Sequence, residues 1–392
     1  MQPKRYHLAE DTIDEKDIHA LIEWLKGNPR LTKGPLTVAF EKKWSEWWGK
    51  PYSVFCNSGS SANLLMFYAL LLSGKLKNKK VIVPSAGWPT TITPAIQFGF
   101  EPIMCEADKE TFAMDVDCLE ALIEKHDPGA VIFVQVLGVP YQHINRLLEL
   151  KKKHAFVLLE DACAAMGASY HGRKVGSFGD MASFSLYFGH QLSTIEGGVV
   201  LTDDAEFNDL LVMLRSHGWG KDLPPASHEA LLEKYHVDNT FNPFIFYEPG
   251  FNLRATDLQA FLGLRQLDKM DWLIRRRNET HRLYKKLLGE KFYTQTFDDE
   301  TIACSIHFCS LAESFEERNA IASALEKNGI ETRLYTAGNL GLHPFWKNRY
   351  GETHFKWADE LYKRGFFLPN HPSLTKEDVE FIAGVVLGAI DR

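Results

Sequence analysis

The chain has 392 residues, 45% of them hydrophobic and 24% charged, and a formal net charge of −7. That size and apolar content predict a large and a smaller globular domain. The acidic balance argues against non-specific binding to nucleic acid or to an anionic membrane. Six cysteines (Cys56, Cys105, Cys118, Cys163, Cys304, Cys309) show neither a CxxC pair nor zinc-ligand spacing, so no metal site is expected and reduced, buried thiols are the simplest reading. The opening residues MQPKRYHLAEDTIDEKD lack a signal-peptide core, and the longest apolar run, near residues 64–72, is too short to span a bilayer. A soluble, cytoplasmic protein is the expectation.

In chain order, residues 12–15 (Thr-Ile-Asp-Glu) read as a capping box for an amphipathic helix carrying Ile18, Leu21, Ile22 and Leu25. The turn-rich GNPRLTKGP ends it, and after YSVFCNSGSS a helix is predicted over about residues 62–72. KVIVP (80–84), EPIMCEAD (101–108), AVIFVQVLG (130–138) and AFVLLED (155–161) read as buried strands; helices at 116–125 and 144–153 fall among them. Such alternation predicts a mostly parallel sheet flanked by helices on both faces. Residues 220–250 hold four prolines, aromatic clusters and one short helical stretch, and a loop of that length is usually functional. Residues 257–288 read as one long basic helix. Residues 303–392 read as a smaller α/β unit, with a strand near SIHFCSL, a helix over about 316–328 and a last helix after Thr375. A division into 1–270 and 271–392 follows.

Several residues could carry chemistry. NSGSS (57–61) precedes a helix, where small residues let backbone N–H groups converge on an anion; Gly59 and Ser60 are the candidates, and an ordinary serine cap is the alternative. Glu160 and Asp161 end an apolar strand at the sheet edge where ligands bind, although Asp161 could equally be a helix cap. Ser183 and Ser185 share one strand face. His190 follows five residues later, and an isolated histidine is more often structural than catalytic. The nearby Glu196-Gly197-Gly198 suggests close backbone packing beside a site. Trp88 could lie flat on an aromatic ligand, and Asn252 and Arg254 could serve a ligand or cap a helix.

Together the segments NSGSSAN, GWPTT, LLEDACAAMGA, GSFGDMASFSLYFGHQLSTIEGGVV, RSHGW, GFNLRATDLQAFLGLRQL and IETRLYTAGN resemble the sugar aminotransferase family of DegT/DnrJ/EryC1/StrS type. The resemblance spans nearly the whole chain. It implies the aspartate-aminotransferase fold of pyridoxal phosphate (PLP) enzymes: a mostly parallel α/β sheet with a smaller C-terminal α/β domain. It also implies a homodimer with shared active sites.

The informative departure is His190, where ordinary members carry the lysine that holds PLP covalently. Imidazole has no primary amine to do so, and it titrates near neutrality. The resemblance is therefore to the sugar 3-dehydratase branch, which binds PLP or pyridoxamine phosphate without a covalent link. Its GDP-sugar members share the Glu-Gly-Gly and the His217-Gly218-Trp219 found here. Its CDP-sugar members need an iron–sulphur cluster; this chain has no cysteine between Cys163 and Cys304, so no cluster is expected.

By resemblance, Gly59, Ser60 and Ser185 hold the cofactor phosphate and Asp161 pairs with the ring nitrogen. Trp88 stacks on the ring, and Asn252 reaches the phosphate from the neighbouring subunit. His217, Arg254, Arg333 and Asn339 contact the nucleotide sugar or L-glutamate, the amino donor. His190 is the base. Ala164 stands where members often have a polar residue, leaving one contact near the cofactor's 3-hydroxyl open. The implied reaction removes the C3 hydroxyl of a 4-keto-6-deoxy GDP-sugar, with 2-oxoglutarate and ammonia released. An aminotransferase that tolerates histidine, or a non-catalytic PLP-fold binding protein, are the alternatives.

Overall fold

The computed structural model describes residues 4–238 and 244–390. Pro243 and the centre of the proline-rich stretch therefore lie outside the described residues.

Seven five-residue strands form the main sheet: β1 (Tyr52–Cys56), β2 (Lys80–Pro84), β3 (Glu101–Cys105), β4 (Ala130–Val134), β5 (Val157–Asp161), β8 (Met181–Ser185) and β9 (Gly198–Thr202). A small hairpin, β6 (Ser169–Tyr170) and β7 (Arg173–Lys174), interrupts the sequence before β8. The spatial order is β1-β9-β8-β5-β4-β2-β3, with β3, β2, β4, β5 and β8 mutually parallel and β9 antiparallel to both its neighbours. Valine- and isoleucine-rich strands such as AVIFV suit a sheet buried on both faces. One apolar core gathers Phe133, Phe184 and Trp44 on one face; a second gathers Val83, Ile132 and Leu65 on the other.

A three-stranded antiparallel sheet, β10 (Tyr293–Thr294), β11 (His307–Leu311) and β12 (Gly365–Pro369), forms the smaller layer. Helices Phe315–Lys327 and Lys376–Ile390 pack around it through Ile321, Leu325, Val379 and Ile382.

Three expectations shift in detail. The first helix is Glu15–Lys26, capped by Asp14 in a capping box with Asp17. Thr12 is diverted instead: its hydroxyl accepts from Ser193 N at 3.2 Å and its carbonyl from Lys269 Nζ at 2.9 Å. The apolar stripe of this helix is largely uncovered, with Ile18, Ile22 and Leu25 exposed. The long basic helix is two, Asp257–Leu267 and Met270–Leu288, meeting at Asp268 and Lys269, where the Lys269 ammonium binds Asp14 and Asp17. Within 220–250 a 3₁₀ turn (Gly220–Asp222) precedes the helix Pro225–Tyr235, which buries no residue.

Residues 4–12 run as a strap across the small layer. Tyr6 bridges Ile330, and Lys4 and Tyr6 both reach the Asp378 carboxylate, at 2.5 and 3.2 Å. No helix among the described residues is long and apolar enough to cross a membrane.

Candidate active site

A cleft of about 1080 Å³ opens where the parallel strands end, at the carboxyl edge that open α/β sheets use for ligands. Gly59, Ser60, Trp88, Asp161, Ser185, His190 and Arg333 all line it. The strap contributes His7 to Asp11, and the small layer contributes His307 and Glu331.

One end is a cradle built around the helix Gly59–Leu72. Ser58 caps this helix by accepting from Ser61 N at 3.1 Å, which leaves the first-turn N–H groups facing the cleft mouth. Gly59 is required by contact: a Cβ there would fall 2.5 Å from the Cβ of Ser185. Gly198 is required in the same way, since its Cβ would lie 2.1 Å from the Ser58 carbonyl oxygen. The Gly197-Gly198 pair thus allows the turn into β9 to press against the cradle.

Alternation along β5 sends its two acids to opposite faces. Glu160 is fully buried away from the cleft and accepts from Gln135 and from the backbone N–H groups of Gly176, Phe178 and Gly179. Burial raises its pKa, and its work is to fold the turn before β8. Asp161 faces the cleft and accepts three hydrogen bonds, from Asn63 Nδ2 (2.9 Å), Thr91 Oγ1 (2.6 Å) and Cys163 N (3.0 Å). Asn63 is held in turn by the Ser183 hydroxyl, which donates to its Oδ1 at 2.6 Å. Trp88 stands beside this carboxylate on the cleft wall with 53% of its surface exposed, a large flat face without a cover in the chain itself.

His190 sits at the turn between β8 and β9. The turn is closed by Leu186 N to Gly197 O (2.8 Å), Thr194 N to Leu186 O (2.9 Å) and His190 N to Tyr187 O (2.9 Å). Gln191, fully buried, ties the turn down by donating to the carbonyls of Ala164 and Cys304, both at 2.6 Å. The His190 Nδ1 is enclosed and has no partner. Burial first, then the positive charges of Arg277 and Arg333, lowers this imidazole to about 4, so it is neutral at physiological pH. His307, on β11, is a second buried imidazole with an unpartnered Nδ1, and burial holds it well below its ordinary value too. Arg333 has its own basicity lowered by burial and stacks its guanidinium 5.4 Å from the Phe367 ring.

Four candidates lie elsewhere. Asn252 and His217 are exposed, in two segments joined by the Ser216–Asn252 bridge, and Arg254 donates to Ser216 Oγ at 2.7 Å. This patch adjoins the cradle from behind, through Asn57 N to Leu253 O at 3.0 Å, and does not line the chain's own cleft. Asn339 is fully buried; its Oδ1 accepts from Gly341 N, and its Nδ2 donates to Thr353 O and to Asp359. Its side chain is thus occupied in capping a short helical turn. Asn63, Thr91, His307 and the strap were not legible in the sequence: their signal is purely spatial.

The residues themselves fit PLP. A glycine-walled helix N-terminus, a buried carboxylate and an uncovered indole, all on one cleft, match a phosphate, a ring nitrogen and an aromatic face.

Comparison with known proteins agrees with this geometry. The chain is 31% identical to the GDP-4-keto-6-deoxy-D-mannose 3-dehydratase of Yersinia pseudotuberculosis, over 97% of this chain and 98% of that one. It is 28% identical to the GDP-perosamine synthase of Escherichia coli O157:H7, over 90% and 89% of the two. Its fold matches the solved E. coli GDP-4-keto-6-deoxy-D-mannose-3-dehydratase with bound hydrated PLP, with a TM-score of 0.88 and 25% identity over 98% of this chain and 100% of that one. The family model of the DegT/DnrJ/EryC1/StrS aminotransferases matches residues 11–387. With its aminotransferase-type fold and a cleft suited to the cofactor, the chain belongs to the DegT/DnrJ/EryC1/StrS aminotransferase family.

Proposed function

We propose that this protein is a PLP-dependent dehydratase that removes the C3 hydroxyl of a 4-keto-6-deoxy GDP-sugar, with L-glutamate as amino donor and 2-oxoglutarate and ammonia as co-products. One observation carries the reading: among the described residues no lysine lines the cleft, and a neutral imidazole stands on its wall. Without a primary amine the cofactor is held by non-covalent contacts alone.

Gly59, Ser60 and Ser185 would bind the phosphate, Asp161 the ring nitrogen and Trp88 the ring face. Bound there, PLP supplies an electron sink for charge that develops on the substrate. His190 moves the proton: its ring nitrogen accepts one as a base and then delivers it to the departing C3 hydroxyl, which leaves as water. Arg333, a cation without a carboxylate partner among the described residues, would hold a carboxylate of glutamate or a phosphate of the nucleotide. The exposed His217 and Asn252, with the half-buried Arg254 beside them, suit service to a second subunit's site, and the uncovered Ile18, Ile22 and Leu25 suit the contact that brings that subunit close. A lipopolysaccharide deoxysugar route in the cytoplasm accords with this chemistry.

A second reading, an aminotransferase, is favoured by the similarity to the perosamine synthase. Incubation with GDP-4-keto-6-deoxymannose, PLP and glutamate separates the two. Ammonia and a 3-deoxy-4-keto sugar are expected; a stable 4-amino sugar with no ammonia would refute the dehydratase.

A further inference from the structure

Arg277, on the helix Met270–Leu288, is one of the largest side chains to be fully enclosed, with 2% of the residue exposed. Its Nη1 donates to Asn370 O at 2.6 Å and Ser305 O at 3.1 Å, both in the smaller layer. Its Nη2 donates to the carbonyl of His190 at 3.1 Å, and its Nε has no acceptor. Among the described residues no carboxylate pairs with it. A buried guanidinium that meets only carbonyl oxygens is costly, and buried charges are ordinarily paired.

Neutral donors could make these bonds. Asn370 already does so beside it, donating to Arg277 O and Ser305 O at 3.2 and 3.0 Å. The charge is therefore what an amide would not supply. We propose that Arg277 is the positioning residue of the His190 turn: it fastens that turn to the smaller layer and sets a fixed positive charge behind the imidazole. The proposal rests on His190 being the proton-moving group.

The surroundings agree. The charged and titratable groups facing His190 are Arg277 from its helix, Arg333 from the segment after Ile330, His307 from β11 and Tyr187 from its own turn. The carboxylates on the cleft wall are Glu331, which is engaged by His7 and Leu8 N, Glu10, engaged by Ser373, Asp11, Asp161, and Glu196 from the far end of the same turn. Burial brings Arg277 itself down to about 10, so it stays charged at neutral pH. Burial lowers His190, His307 and His371, and the charge of Arg277 adds to the effect at each.

The test uses the full-length chain without added cofactor or substrate, with histidine ring signals followed by NMR and His190 assigned by its loss in H190N. In R277Q the His190 midpoint should rise by about one pH unit, the order expected when a nearby buried charge is removed. In R277K, which keeps the charge but reaches fewer carbonyls, the midpoint should stay close to wild type while the His190 N–H exchanges about tenfold faster. A folded R277Q with an unmoved midpoint would overturn the proposal, as would R277K with unchanged exchange or with a midpoint moved as far as in R277Q. Should R277Q fail to fold, the R277K exchange rate and midpoint decide the matter. Neither readout involves ammonia release, so the dehydratase reading and this one stand or fall separately.

Discussion

Replacing Asp161 with asparagine tests the most densely bonded group in the cleft. The carboxylate takes three donors on two oxygens: Cys163 N on Oδ1, and Asn63 Nδ2 with Thr91 Oγ1 on Oδ2. An amide offers one oxygen. If that oxygen faces Asn63 and Thr91, the new NH₂ opposes only Cys163 N; the reverse orientation sets it against two donors. Asn63 cannot turn over cheaply, because its own oxygen accepts from Ser183. The cheaper orientation therefore leaves one buried donor unsatisfied, a loss of about 1–3 kcal/mol. Urea unfolding of cofactor-free D161N should show that loss, and PLP titration should show at least about tenfold weaker binding once the charged partner of the ring nitrogen is gone. If D161N matches wild type in both stability and PLP affinity, Asp161 neither anchors the cleft nor meets the cofactor.

Three further outcomes are expected. Gly59→Ala should lower stability by about 1–3 kcal/mol, the usual cost of overpacking, and weaken PLP binding measured by tryptophan quenching; equal affinity would mean that the cradle is not the phosphate site. His190→Lys should give a cofactor absorbance band that survives gel filtration and should abolish dehydration; retained dehydration would show that His190 is not the base. His281, 1% exposed and bonded to Ser305 Oγ at 2.7 Å, is lowered to about 3 by burial, then by Lys285 and Arg282. Its unfolded form takes up a proton near pH 6.5 while the folded form resists, so stability should fall as pH drops from about 6.5 toward 3. His281→Gln should flatten that limb of a urea-midpoint series, and an unchanged slope would refute the assignment.

The sequence carried the local features well. Strand alternation put Ser183 and Ser185 on one face, and the valine-rich runs marked the sheet, because these depend only on neighbours along the chain. Two adjacent acids were legible as a strand end, but their division of labour was not: the bonds that claim Glu160 come from the turn at 176–179. The ties of Lys269, at the joint between the two helices, were hidden for a similar reason, since its partners Asp14 and Asp17 lie some 250 positions away. Arg277 looked like one more basic residue on a basic helix. Its carbonyl partners, at Ser305, Asn370 and His190, come from three distant segments, and no periodicity reports that.

The strap has a consequence for how the protein is made. Tyr6 meets Ile330 and Lys4 meets Asp378, so one wall of the cleft joins residues more than 300 positions apart. Until the segment around Ile330 has left the ribosome the strap has nothing to dock on, and its Asp378 anchor comes later still, whatever the seven-stranded sheet has already achieved. Contacts this remote in sequence form late. The strap wall should accordingly be the last part of the cleft to form, after Gly59, Asp161 and Ser185 around the large sheet are already in place.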